Sequence, residues 1–320
     1  SRSGESHSMC TAAALQGSPV LRLRGAERQR LDRKAGSCVR RPAVTDASAR
    51  RSHTRDFMGA MTAFARQRLL ESALGMLAEM RDKDLEPDVM SYNAAISACA
   101  KSERWDKALE ILLEMRGEDI LPNVISYNAA LSACAKGKEI DRAFAMLTEM
   151  RATEIELDVI SYNVLISTCA TSQLWEQALS MLSEMQEREI SPDLISYNAA
   201  ISACEKAEQW ERAVGFLAGM HRQELAPDLI SYNAAISACG KGEQWECALH
   251  MFTEMQVQAL APTVISYNSA ISACGKCEQW EHALRLLAQM RDNSLDADAI
   301  SYTATISACE KGAQWVHALH

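Results

Sequence analysis

Residues 124–135 read Val-Ile-Ser-Tyr-Asn-Ala-Ala-Leu-Ser-Ala-Cys-Ala, and close copies of this stretch recur along the chain. The tripeptide Ser-Tyr-Asn begins at Ser91, Ser126, Ser161, Ser196, Ser231 and Ser266, and Ser-Tyr-Thr begins at Ser301. Every step is 35 residues, without an insertion or deletion. A fixed period of this length is typical of a solenoid, in which each unit packs only against its neighbours.

Each unit is numbered here from the apolar residue two before that serine. The predicted array covers 54–320: a degenerate unit 0 at 54–88, six full units within 89–298, and a unit 7 of 22 residues at 299–320. Units 1 to 6 are 89–123, 124–158, 159–193, 194–228, 229–263 and 264–298. All seven tyrosines hold position 4 and all six tryptophans hold position 17, which indicates a packing contact that repeats from unit to unit.

The sequence pattern inside a unit predicts two helices. Residues 124–135 are rich in alanine and lack Gly and Pro, which predicts about three turns of helix. A polar turn and a second helix follow, from about Trp210 to Met220 in unit 4. Two short helices cannot bury their faces alone, so the sequence predicts an all-α fold, a right-handed α-solenoid of stacked two-helix repeats. Prolines close five of the units, where a helix must end: Pro87, Pro122, Pro192, Pro227 and Pro262.

The first helix of each unit has two unlike faces at about 100° per residue. Positions 4, 7, 8 and 11 form an apolar face that we expect to pack on the second helix; in unit 4 they are Tyr197, Ala200, Ile201 and Cys204. Positions 2, 5, 9 and 13 share the remaining arc; in the same unit they are Ile195, Asn198, Ser202 and Lys206. An aliphatic group, an amide, a hydroxyl and an ammonium group thus recur in line.

Each of these columns also has a purely structural interpretation. The isoleucines fit the edge of a core, the asparagines fit helix starts where backbone donors need acceptors, and the lysines fit helix ends, where a cation contributes about 0.5 kcal/mol. Together the columns favour a ligand with a matching repeat of π-face, hydrogen-bonding edge and negative charge. Single-stranded nucleic acid is such a ligand, since stacking is worth roughly 1–3 kcal/mol per base.

Composition and charge set further limits. Apolar residues make up 48% and charged residues 23%, as in a globular protein, and no apolar run reaches the roughly 18 residues of a membrane span. The net charge is −9, but residues 1–56 carry 12 Lys or Arg against 5 Asp or Glu. The strongly acidic remainder still permits a nucleic-acid partner if its carboxylates lie on the second helices and their flanks, as with Glu208 and Glu211.

Residues 1–53 differ from the array in composition. They are rich in Arg, Ser and Ala and poor in acids, which favours an organelle transit peptide over a secretory signal. A disordered basic leader and a gene-model artefact are the alternatives. We expect both ends to be incomplete, because the chain starts at Ser1 without an initiator methionine and stops within a helix.

No catalytic, metal or cofactor site is expected from the sequence. Cys274 and Cys277 form a lone CxxC, but a structural zinc site needs four ligands, and Cys274 simply continues a column of position-11 cysteines. The histidines form no metal-binding group, and no phosphate loop or nucleophile elbow is present. We expect these cysteines to be reduced packing residues.

The array resembles a pentatricopeptide repeat protein of the pure 35-residue type over residues 54–320. The resemblance rests on Val-Ile-Ser-Tyr-Asn-Ala-Ala-Ile-Ser-Ala-Cys at the start of the units, Ala-Leu in the second helix and Glu-Met before the closing Pro-Asp. A tetratricopeptide array has a period of 34 and a Trp/Leu-Gly/Tyr pattern that is absent here. The resemblance implies sequence-specific binding of single-stranded RNA, one base per unit, in the chloroplast or, alternatively, the mitochondrion.

The resemblance also assigns roles to positions. Positions 5 and 35 select the base: Asn93 with Asn123, Asn128 with Asp158, Asn163 with Asp193, Asn198 with Asp228, Asn233 with Thr263, Asn268 with Asp298, and Thr303 alone. Position 2 sandwiches the base: Met90, Ile125, Ile160, Ile195, Ile230, Ile265 and Ile300. Position 13 contacts the phosphate backbone: Lys101, Lys136, Lys206, Lys241, Lys276 and Lys311, with Thr171 interrupting the column.

These pairs imply the target pyrimidine-U-U-U-pyrimidine-U-purine, read 5′ to 3′ along units 1 to 7. Unit 0 has Met58 at position 5 and is predicted to be a cap. The expected protein is a monomer that acts on RNA by occupancy, alone or with further RNA-processing proteins, and without a membrane. The alternatives are a protein-interaction scaffold that uses the same face and an RNA-processing enzyme with a catalytic domain beyond His320.

Overall fold

A computed structural model describes residues 57, 59–64, 66–67, 70–83 and 85–313. The predicted leader at 1–53, Met58 of the cap and Trp315 lie outside these residues. Fourteen helices follow one another in the range from Leu70 to Lys311, and residues 59–64 are helical as well. The helices are α1 Leu70–Asp82, α2 Val89–Lys101, α3 Trp105–Gly117, α4 Val124–Gly137, α5 Ile140–Ala152, α6 Val159–Thr171, α7 Trp175–Glu187, α8 Leu194–Lys206, α9 Trp210–Arg222, α10 Leu229–Lys241, α11 Trp245–Val257, α12 Val264–Lys276, α13 Trp280–Asp292 and α14 Ala299–Lys311.

The even-numbered helices are the first helices of units 1 to 7, and the odd-numbered ones are the second helices of units 0 to 6. Each first helix packs on the second helix of its own unit, where the structure describes one, and on the first helix of the next. The predicted all-α array of stacked two-helix repeats is confirmed. Within the described part of the chain, no helix is both long and apolar enough to cross a membrane.

The buried face of the first helices is the apolar face predicted from the spacing of about 100° per residue. In unit 4, Tyr197 is 2% exposed, while Ala200, Ile201 and Cys204 are fully buried. From the second helix, Met220 is buried in the same core. Because this face is buried in the same way in units 1 to 6, one apolar core runs through them.

The hydroxyl group of the buried Tyr92 links units 0 and 1. Arg81 donates to the Tyr92 hydroxyl over 2.7 Å, and that hydroxyl donates to Glu118 over 2.7 Å. Arg81 also forms an ion pair with Glu114 of unit 1. Burial, helped by the hydrogen bond to Glu118, raises the pKa of Tyr92 to about 12. At this junction the position-4 tyrosine therefore supplies both core volume and a polar tie between repeats.

The tryptophans at position 17 cover position 14 of the next unit. A Cβ atom at Gly242 would lie 2.3 Å from Cδ1 of Trp210, so a side chain there would force the indole to move. Gly137 faces Trp105 and Gly312 faces Trp280 in the same way. The tryptophan column is thus an inter-repeat contact, as its invariance predicts.

The sequence predicts a polar turn after the first helix of a unit but not the backbone conformation of the turns. A non-glycine residue at position 15 or 31 adopts the left-handed conformation, for example Glu208 with φ 59° and Glu224 with φ 56°. Gln209 then donates its N–H to the Cys204 carbonyl over 2.9 Å, which closes the helix end. Such residues cost roughly 1–2 kcal/mol relative to the right-handed form, and the closed turns offset this cost.

Candidate nucleic-acid interface

The position-2 side chains of the first helices lie in solvent. Their exposed fractions run from 51% for Met90 to 65% for Ile265 and Ile300, with Ile195 at 62%. A residue at the edge of a core would lose most of its surface to packing, so that interpretation of the column is wrong. A row of large exposed aliphatic groups, one per unit, is instead available to a ligand.

The asparagine at position 5 is held by two hydrogen bonds across the repeat junction. In unit 4, Nδ2 of Asn198 donates to Oδ1 of Asp228 over 3.2 Å, and Ser231 donates its hydroxyl to Oδ1 of Asn198 over 2.5 Å. The orientation of the amide is therefore fixed, with one N–H and one lone pair unused. The same arrangement joins Asn128 to Asp158, Asn163 to Asp193 and Asn268 to Asp298 over 3.0 to 3.1 Å, and Asn93 to Asn123 over 3.3 Å.

Position 35 has a structural role that the sequence did not reveal. Asp228 begins α10 as its N-cap, and its Oδ1 atom accepts the N–H of Ser231 over 2.9 Å. The unpaired backbone donors are thus satisfied by position 35, and the interpretation that assigned this role to the asparagines is wrong. At the equivalent Asp158, burial opposes the charge, but hydrogen bonds from Ser161 and Asn128 outweigh it and lower the pKa of the carboxyl.

The position-5 amides are less exposed than the position-2 side chains. Asn93 is 6% and Asn163 is 8% exposed, whereas Asn128, Asn198 and Asn268 are half-buried. Thr303 in unit 7 is exposed, and its hydroxyl donates to the Ala299 carbonyl over 2.6 Å. Only a part of each asparagine side chain is therefore open to a ligand.

One groove brings the four columns together at units 5 to 7. It has a volume of about 340 Å³ and is lined by apolar Ile265 and Ile300, by Asn268 with its partner Asp298, and by the ammonium group of Lys276. Ser272 at position 9 also lines it, as do Ser237 and Lys241 from unit 5. The groove thus combines two aliphatic plates, an oriented amide and carboxylate, and positive charge.

Comparisons with known proteins identify the family of this chain. A family model described as the pentacotripeptide-repeat region of PRORP matches residues 125–299, and one described as the pentatricopeptide repeat domain matches residues 61–137. The first alone covers more than half of the chain. The chain belongs to the pentatricopeptide repeat family. No curated protein gave a significant match.

Solved pentatricopeptide repeat structures share the fold. The maize pentatricopeptide repeat protein PPR10 superposes with a TM-score of 0.60 at 20% identity, over 83% of this chain and 42% of the maize chain. PPR10 in complex with an 18-nt psaJ RNA element gives a TM-score of 0.53 at 19% identity, over 96% and 48% of the two chains. This chain therefore spans less than half the length of the maize protein.

The position-13 lysines of this pentatricopeptide repeat array differ in exposure and in ion pairing, although the residue type is nearly uniform. Lys136, Lys206, Lys276 and Lys311 are exposed, and Lys101 is half-buried. Among the described residues of the column, only Lys241 has an ion pair, with Glu205.

Glu205 corrects the expected distribution of charge. It lies at position 12 of a first helix, beside the groove, and not on the second helices or their flanks. Reasoning from the sequence missed it, although it interrupts a run of Ala and Gly at position 12.

The cysteines lie as packing residues. The position-11 column is buried, and burial raises the pKa of Cys204 to about 11 and that of Cys274 to about 12. Cys277 is half-buried and donates its thiol to the Glu243 carbonyl over 3.2 Å. No cluster of His, Cys, Asp or Glu suited to a metal ion lies within the residues that the structure describes.

Proposed function

We propose that the array binds single-stranded RNA along the row of position-2, position-5, position-9 and position-13 side chains, one nucleotide per unit. The observation that carries this is the groove at units 5 to 7, where Ile265, Ile300, Asn268 and Lys276 line one surface. A ligand with an aromatic face, a polar edge and a phosphate matches all three chemistries. The PPR10 complex with an RNA element shows that a member of the family binds RNA and supports RNA as the ligand.

A base would lie between the position-2 side chains of successive units. Ile195 and Ile230 are each more than 60% exposed, so covering them with a base removes apolar surface from water at both faces of the ring. Asn198 lies between them in the sequence, and its half-buried amide keeps one N–H and one lone pair unused. Lysine at position 13 supplies a point charge for the adjoining phosphate.

We propose uridine as the preferred base where Asn pairs with Asp. The carboxylate fixes the orientation of the amide, so its remaining N–H is available to a carbonyl oxygen of uracil. Together with the other pairs, this gives the target pyrimidine-U-U-U-pyrimidine-U-purine. The near-uniform asparagine at position 5 limits how much sequence the array distinguishes.

Binding to U-rich, C-rich and A-rich single strands tests the base preference, with tightest binding expected for U-rich RNA. Equal affinity for all three rejects the base assignment, and no binding to any of them rejects the function. Asn198→Thr is expected to move the preference at nucleotide 4 from uridine toward guanosine. Asn268→Thr is the matched control, because it should change nucleotide 6 and leave nucleotide 4 unaltered.

The salt dependence tests the lysine column separately. Each phosphate contact on a single strand contributes about −0.7 to the slope of log affinity against log salt. Six lysines therefore predict a slope no steeper than about −4. A much steeper slope would mean that the strand lies on another, more basic surface.

We propose that the protein acts by occupancy in processing, stabilising or translating RNA in the chloroplast, with the mitochondrion as the alternative. The basic composition of residues 1–53 supports an organelle address. Cross-linking RNA to the native protein in isolated chloroplasts and mitochondria tests both points. Recovery of cross-linked RNA from neither organelle would contradict the proposal.

A further inference from the structure

Unit 5, residues 229–263, differs from the other units at the groove. Glu205 reaches it from the preceding α8, where Oε1 accepts the Ser237 hydroxyl over 2.7 Å and pairs with Nζ of Lys241 at 3.2 Å. Lys241 also donates to the main-chain carbonyl of Glu205 over 3.3 Å. The position-9 hydroxyl and the position-13 ammonium group of this unit are thus both bound by one carboxylate.

This contact depends on a local departure from the repeat. Position 12 is Ala100, Ala135 and Ala170 in units 1 to 3 and Gly240 and Gly275 in units 5 and 6. An alanine or glycine there cannot reach the lysine of the next unit. In the part of the chain that the structure describes, the lysine after Glu205 is the one member of its column in an ion pair.

The pair is partly shielded from solvent. The side chain of Glu205 is 21% exposed and that of Lys241 is 32% exposed, so water and salt weaken their attraction less than for a fully exposed pair. A phosphate that approached Lys241 would have to displace the carboxylate or accept its repulsion. The lysine is therefore a poor phosphate contact in this unit.

The base-reading groups of unit 5 are also incomplete. Thr263 stands at position 35 where four other full units have Asp. Its hydroxyl contacts Ser266 at 3.2 Å, and the buried Oδ1 atom of Asn233 has no hydrogen-bond partner. The amide that should read the base is thus not fixed from either side.

We infer that unit 5 is a relaxed repeat: Glu205 withholds Lys241 from the phosphate, Asn233 lacks its orienting partner, and the nucleotide facing this unit is held weakly and read without selectivity. The recognised RNA is then divided into two blocks, nucleotides 1–4 and 6–7, separated by one unread position, so the pyrimidine proposed above for nucleotide 5 is not required there. This inference rests on the proposed RNA binding.

A double-mutant cycle on the full chain tests the phosphate contact with U-rich RNA. Lys206→Ala, whose lysine has no ion pair in the structure, should weaken binding by about three- to fivefold. Removing both members of the pair in Glu205→Ala/Lys241→Ala should leave the affinity within about 1.5-fold of the wild type, because the pair presents no net charge to the phosphate. Glu205→Ala should tighten binding about threefold and steepen the salt slope by about 0.7.

In the Glu205→Ala background, Lys241→Ala should weaken RNA binding as much as Lys206→Ala does in the wild type. Glu205→Gln keeps the size of the side chain and removes its charge, so it should reproduce the tighter binding if charge is the cause. Glu310→Ala is the control for net charge, because it removes an acid from the same position of unit 7 and should leave the slope unchanged. Unchanged affinity and an unchanged salt slope in Glu205→Ala would overturn the inference.

Substitution of single nucleotides in the target RNA tests which units select their base. Replacing nucleotide 4 by adenosine should weaken binding severalfold, whereas the same change at nucleotide 5 should have no measurable effect. Selectivity at nucleotide 5 as strong as at nucleotide 4 contradicts a relaxed unit. If the wild-type chain binds none of these RNAs, the proposed function itself fails, and that result is distinct from binding with a uniform pattern of selectivity.

Discussion

Thr263→Asp should stabilise the array by completing the junction between units 5 and 6. At the neighbouring junction, Asp228 accepts the Ser231 N–H over 2.9 Å and the Asn198 amide over 3.2 Å, and Ser231 donates to Asn198 over 2.5 Å. With Thr263 in place, the corresponding Oδ1 atom of Asn233 is buried and unpaired. An aspartate at 263 should orient Asn233 and Ser266 in the same way.

The size of the effect follows from the hydrogen bonds gained. Two side-chain bonds form, one of them to a carboxylate, and each contributes about 0.5–1.5 kcal/mol net or somewhat more for the charged one. Ordering the new side chain costs up to about 1 kcal/mol, and the chain is already acidic. The free energy of unfolding should therefore rise by about 1–2 kcal/mol.

Urea unfolding followed by circular dichroism gives the change in stability, and hydrogen exchange shows where it arises. The Ser266 amide should exchange more slowly in the variant, because a carboxylate replaces the weaker Thr263 hydroxyl as its acceptor. The mirror variant Asp228→Thr transplants the natural defect to the junction of units 4 and 5, so it should lower stability by a similar amount. If Thr263→Asp leaves stability and Ser266 exchange unchanged while Asp228→Thr is harmless, the junction hydrogen bonds do not stabilise the array.

Three further outcomes are expected. Ile195→Ala should change the free energy of unfolding by no more than about 0.5 kcal/mol, since Ile195 is 62% exposed, yet weaken RNA binding about fivefold. A thiol reagent at pH 8, mapped by mass spectrometry, should label half-buried Cys247 and Cys277 well before the buried position-11 cysteines. Stability should decline from pH 10 to 12, because unfolded tyrosine ionises near pH 10, whereas burial raises the pKa of Tyr92 and Tyr232 to about 12.

Each of these outcomes has a control in the same chain. Ile201→Ala, in the same helix but fully buried, should cost about 2–5 kcal/mol, which separates packing from binding. Labelling of Cys204 as fast as Cys277 would show that the core is open. Tyrosine ionisation, read by absorbance, should coincide with the loss of helix above pH 10, and ionisation of all tyrosines before any unfolding would contradict their burial.

How far the sequence predicts the site differs between its columns. The period placed the amides and aliphatic groups on one face, because a helix repeats its contacts wherever the residue type repeats. The helical spacing could not distinguish an exposed position-2 residue from one at the edge of the core, since exposure depends on how closely the next unit approaches. The exposed fractions of Ile195 and Ile300 answered that question.

The contacts between units were beyond the sequence. Position 35 and position 5 lie 30 residues apart, and only the stacking of units brings Asp228 to the amide of Asn198. Glu205 looks like one more acid in an acidic chain until the next unit places Lys241 3.2 Å from it. The left-handed turns could not be predicted either, because non-glycine residues such as Glu208 occupy them.

By itself, the sequence determined the period, the two helices of each unit and the face on which each side chain lies, because all three follow from local spacing along one helix. The tertiary structure alone decided which of those side chains meet across a junction, which remain open to a ligand and which lysine is neutralised. Those properties arise from the distance and angle between successive units, and the spacing of residues within a unit does not encode them.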